Sequence, residues 1–118
     1  MQSTNKGDNQ MKVKFISANT KEARLANRRV LLVRDETCRR ACLATDHDGD
    51  VFGLLIEEWN DEERQFKMVD SSWGLYSFDD VKANIANIVG NYDIDCFVVD
   101  NDLGDPEKWK EEFREFDI

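Results

Sequence analysis

Apolar residues in this chain come in short blocks, and only two stretches repeat them at helical spacing. That pattern asks for a sheet with few helices. Lys12-Val13-Lys14-Phe15-Ile16 alternates polar and apolar and reads as an opening strand. Residues 19–29 read as a short helix capped by Asn19 or Thr20, with Ala23, Leu25 and Ala26 inward. Val30-Leu31-Leu32-Val33 then suits either a buried strand or the last turns of that helix.

Residues 40–45 and 51–57 are apolar-rich and flank Asp46-His47-Asp48-Gly49-Asp50, where Asp48-Gly49 supplies the left-handed positions of a tight hairpin. A second turn at Asn60-Asp61-Glu62-Glu63 leads into residues 64–69, in which Phe66 and Met68 share a face. Together these predict an antiparallel meander of about three strands. Ser77 or Asp79 caps a helix whose stripe is Val81, Ile85, Ile88, Val89 and Tyr92. Ile94 to Val99 forms the next strand. At the end, Asp105 as cap, Pro106 in the first turn and Glu107 beside it announce an acidic helix, with Trp109, Phe113 and Phe116 as its aromatic face.

The fold class expected is therefore α+β: a small antiparallel sheet of three to five strands, packed against one or two amphipathic helices. One domain is expected over residues 11–118, behind a polar N-terminus, residues 1–10, that frays. No apolar stretch has the length of a signal peptide or a membrane span. With Cys38, Cys42 and Cys96 leaving an odd thiol, reduced cysteines in the cytoplasm are expected.

Charge is partitioned along the chain. Residues 1–45 carry ten Lys/Arg against four Asp/Glu, and residues 46–118 carry six against twenty-one, so +6 and −15 make the net −9. Arg24, Arg28, Arg29, Arg34, Arg39 and Arg40 have the guanidinium forks that suit phosphate. The aromatics that would stack bases lie instead in the acidic part, so internal pairing of these arginines is the better expectation, and direct nucleic-acid binding is not expected.

No catalytic constellation is legible. The one histidine, His47, sits at a turn, and no serine or cysteine has an activating context. Asp46, Asp48, Asp50 and Glu57 occupy positions one, three, five and twelve of a calcium-type loop, yet Val51 stands where the sharp turn needs glycine. Cys38, Cys42, His47 and Cys96 are a poor zinc set, because Cys96 stands far from the others. No cofactor or metal is expected.

Two acidic tracts make the candidate partner-binding surface. The first is Glu57, Glu58, Trp59, Asp61, Glu62 and Glu63; the second is Asp100, Asp102, Asp105, Glu107, Glu111, Glu112 and Glu115. Carboxylates spread over a folded surface imitate the negative charge of a nucleic-acid backbone and steer a protein onto a basic groove. Trp59, Trp73 and Tyr76 are candidate anchors. In general character, though in no motif, the chain resembles phage counter-defence proteins, such as DNA mimics and anti-CRISPR or anti-restriction inhibitors, and the immunity proteins of nuclease toxins.

The expectation is a non-enzymatic inhibitor, monomer or homodimer, that occupies the basic surface of a nucleic-acid-processing protein. The alternatives are a calcium- or magnesium-binding module, or small metal-dependent enzyme, built on the Asp46–Glu57 loop, and a structural or assembly subunit.

Overall fold

The computed structural model describes residues 12–43, 51–109 and 111–118. They form strands β1 (Lys12–Ser17), β2 (Arg28–Arg34), β3 (Phe52–Asn60), β4 (Gln65–Leu75), β5 (Cys96–Val99) and β6 (Glu115–Asp117). The helices are α1 (Lys21–Leu25), α2 (Glu36–Leu43), α3 (Phe78–Asn91) and α4 (Glu111–Arg114), and two 3-10 turns lie at Asn101–Leu103 and Pro106–Lys108.

The six strands make one sheet in the order β4-β3-β2-β5-β1-β6. β5 lies parallel to both β1 and β2, while β3, β4 and β6 join antiparallel. The expected antiparallel sheet of three to five strands with one or two helices is thus corrected to a six-stranded mixed sheet with four helices. The physical reason is visible in β5 and β2. Every residue of Cys96–Val99 is buried, as are Val30, Leu31 and Leu32, because helices cover both faces there. Such continuous runs belong to parallel strands, and they also settle residues 30–33 as strand.

Two other expectations change. Residues 40–43 belong to α2 and not to a strand, so the meander keeps only its β3–β4 hairpin. The carboxy-terminal helix is broken into a 3-10 turn, the four-residue α4 and β6. Pairing of Val13 with Phe116 on the outer side of β1 takes the last residues into the sheet. The fraying N-terminus and the Asp46–Asp50 turn lie outside the described residues.

The larger core fills one face of the sheet, under α3 and α4. Val81, Ile85 and Ile88 of α3 meet Leu54, Ile56 and Leu75, and Phe113 packs among Phe15, Phe52, Phe78 and Trp109 with ring centroids 3.9–6.0 Å apart. Burial of so many aromatic rings dominates the stabilisation, at about 25 cal/mol per Å² of apolar surface. The second face holds a smaller cluster of Ala23, Ala26, Leu31, Cys96 and Val98 beneath α1. Thr20 caps α1 and Ser77 caps α3, each side chain accepting a backbone N–H three residues on.

Candidate interaction surface

The register fixes where each acidic tract lies. Arg28 begins β2 and pairs with Glu58 near the end of β3, so the β3–β4 tip sits at the amino ends of β2 and β5. Asp100 and Asp102 follow Val99, at the carboxy end of β5. The two tracts therefore occupy opposite ends of the strands and form no single surface. The second tract is itself divided, since Glu115 lies opposite Lys14 on the β1–β6 edge.

Within the first tract, the residues differ in what holds them. Arg29 donates to Glu57 at 2.9 Å, and the two side chains are only 12% and 16% exposed. The same guanidinium donates to the Ala23 carbonyl at 2.8 Å and lies 3.7 Å from the Phe66 ring centroid. Glu58 receives both Nε and an Nη of Arg28 on one oxygen, at 2.9 and 2.6 Å. Both carboxylates thus serve the fold, as does Arg34, which lies 3.8 Å from Glu36. The expected internal pairing of arginines is present for these three.

The tip beyond them is a different environment. Asp61, Glu62, Glu63 and Arg64 are all exposed. Asn60 Oδ1 accepts the Glu63 N–H at 2.8 Å, and Arg64 takes the left-handed conformation, φ 55°, that returns the chain into β4. Glu63 pairs with Lys67 of β4, four residues on. Trp59 stands half-buried beside the tip, edge-on to Phe66 and donating its indole N–H to Asp61 at 3.1 Å. The tip therefore joins carboxylates to an aromatic cluster that the Arg29–Glu57 pair holds in place.

In the second tract, Asp105 caps the 3-10 turn at Pro106 through the Glu107 N–H, Glu111 pairs with Arg114, and Glu115 pairs with Lys12. Asp102 and Glu107 are exposed; Asp100 is half-buried, its N–H bound to Leu32 O. The side chain of Glu112 lies outside the described residues.

One functional-looking residue escaped the sequence reading. Asp35 is buried, and its two oxygens accept the N–H of Cys38 at 2.9 Å and of Gly74 at 2.9 Å. It caps α2 and ties that helix to a turn in β4 where Gly74 has φ 69°. The signal was present as an Asp directly before an acidic first turn, Glu36.

Of its acidic positions, the calcium-type loop is described only at the twelfth residue. Glu57, the twelfth residue of the calcium-type loop, is committed to Arg29, and Asp46, Asp48 and Asp50 lie outside the described residues. Among the described residues, no three metal-ligating side chains converge. Cys96 is buried on the second face, and burial, then the nearby Glu22 and Asp95 charges, push its thiol up to about 11 against the pull of Arg29. It is a small hydrophobe there. A cleft of about 400 Å³ between β4 and α3 is lined by Asp70, Ser71, Ser72, Asn87, Asn91 and Tyr92 over Leu54, Ile56 and Ile88. Asp70 there accepts hydrogen bonds from the Ser71 N–H at 2.8 Å and the Tyr92 hydroxyl at 3.3 Å.

No helix among the described residues is long and apolar enough to cross a membrane. Comparison with known proteins returns no matching family model, curated protein or solved structure.

Proposed function

We propose that this chain is a non-enzymatic binding protein whose acidic hairpin tip engages a basic, nucleic-acid-binding surface of another protein and inhibits it. The observation that carries this reading is the tip itself: three successive exposed carboxylates, Asp61, Glu62 and Glu63, on a turn closed by the Glu63 N–H to Asn60 Oδ1 bond and backed by Trp59 and Phe66. A net charge of −9 gives the long-range attraction, and a hydrogen-bonded turn costs less entropy to order than a loose acidic tail. The test is capture on the immobilised chain from lysate of its native host, at low and high salt. The captured protein is then assayed for nucleic-acid binding with increasing amounts of the chain. Loss of nucleic-acid binding at stoichiometric addition supports the reading. A captured protein that keeps its nucleic acid at saturation contradicts it.

A further inference from the structure

The second face of the sheet is unevenly covered. Over β1, β5 and β2 it carries α1 and the Ala23–Val98 cluster. Over β3 and β4 the described cover is slighter: Arg34 to Cys38, leading into the first turn of α2, line a shallow pocket with Trp73 at the far end. Register assigns the side chains of that half. Trp59 pairs with Phe66 and Glu57 with Met68, on the face from which Arg29 reaches α1. Farther along β4, the Trp73 ring packs against Gly53, so close that a Cβ there would stand 2.4 Å from the ring. The Trp73 indole N–H donates to Ser71 Oγ at 3.1 Å, which fixes the ring's direction. Met68 is nevertheless 58% exposed and Trp73 52% exposed.

We infer that this open half-face, from the Asp61–Glu63 tip to Trp73, is where the partner sits, and that the partner presents arginine rather than lysine to it. The inference rests on the reading that the chain binds a basic protein, and it names the surface and the contacting chemistry. Charge selects the occupant first. The tip carboxylates border the patch, and a second copy at −9 would meet repulsion at this end. Ring geometry selects it further. Gly53 backs the Trp73 ring, half of which stays exposed beside Asp35 and Glu36, and a planar guanidinium stacks on such a ring better than an ammonium.

The strand edge is not the docking element. The N–H groups of Ser71 and Gly74, and of Tyr76 just beyond β4, are taken by the carboxylates of Asp70, Asp35 and Asp80, which blunts that end of the strand against strand addition. From tip to Trp73 the patch runs about 30 Å along the strand, the span of an interface burying about 800 Å² on each partner.

The probes are two synthetic peptides, deca-arginine and deca-lysine, titrated at low salt into the ¹⁵N-labelled full chain. The three tryptophan indole signals report on three places, and Trp109, whose indole N–H is held by Leu103 O at 2.7 Å in the larger core, is the internal control. The expected result is a shift of the Trp73 indole and the Asp61–Glu63 amides with Trp109 still. Deca-arginine should bind about threefold or more tighter than deca-lysine, and Trp73→Ala should reduce that preference to parity. Tip amides that shift while Trp73 stays still, with the two peptides equal, would overturn the half-face while leaving the acidic-binder reading intact. No shift with either peptide would overturn both. A chain that sediments alone as a dimer, and as a monomer after Trp73→Ala, would give the face to a second copy and also overturn the inference.

Discussion

Removing Glu57 tests whether the tip is backed by a structural ion pair. Glu57→Ala leaves the Arg29 guanidinium largely buried with one carbonyl bond and one ring, and without a counter-charge. Breaking a fully buried pair from one side costs about 3–5 kcal/mol. Arg29 keeps the Ala23 carbonyl and the Phe66 ring and retains slight solvent access, so we expect about 2–3 kcal/mol for Glu57→Ala. Arg29→Ala strands Glu57 and also removes the ring contact and the tie to α1, so its loss should be larger, about 3–4 kcal/mol. The double variant Arg29→Met with Glu57→Leu replaces the pair by apolar groups of similar length and should fall within about 1 kcal/mol of wild type. Urea unfolding followed by circular dichroism reads all three, with unchanged m-values as the check that the unfolded state is not what moved. Single variants that each cost under about 0.5 kcal/mol would refute the reasoning, because the pair would then behave as an exposed one.

Three further outcomes follow from the same geometry. Asp35→Ala removes the acceptors of two backbone N–H groups, Cys38 and Gly74, and should cost about 2–3 kcal/mol by urea unfolding, with Asp35→Asn losing about half as much. Gly53→Ala pushes the Trp73 ring off the sheet; the ring is at the surface and can swing away, so the expected loss is about 1 kcal/mol, read together with a red-shifted tryptophan emission. The Cys96 thiol has its folded pKa raised, so the folded state holds that proton more tightly than the unfolded one. Stability should therefore fall as pH rises from about 9 toward about 11, and Cys96→Ala should flatten that slope in pH-dependent thermal melts.

What the sequence made legible were the elements whose signals are local. Ser77 with the Val81–Ile85–Ile88 stripe identifies α3, because cap and periodicity agree. The Asn60–Glu63 turn between alternating segments identifies the β3–β4 hairpin. The parallel centre stayed hidden because a four-residue apolar run, such as Val30–Val33, reads alike as a covered strand or a helical turn. The end of the chain misled for a different reason. Trp109, Phe113 and Phe116 do share the larger core, but a turn, a short helix and a strand bring them there, so helical spacing alone did not establish a helix.

At the candidate surface, the acidic tip was legible as composition. The division of its carboxylates was not. Glu57 and Glu58 look like Glu62 and Glu63 in the sequence, and only the β2–β3 register places arginines beside the first pair. The Trp73–Gly53 contact was invisible as well, since it depends on irregular pairing between β3 and β4.

The most direct test of the proposed function is displacement of a fluorescent DNA or RNA duplex from the captured partner, followed by anisotropy at low salt. The wild-type chain should release the duplex, and the tip reversal Asp61→Lys, Glu62→Lys, Glu63→Lys should release it at least about tenfold less well while melting at the same temperature. Equal displacement by the reversed tip would contradict the claim that these three carboxylates occupy the nucleic-acid site.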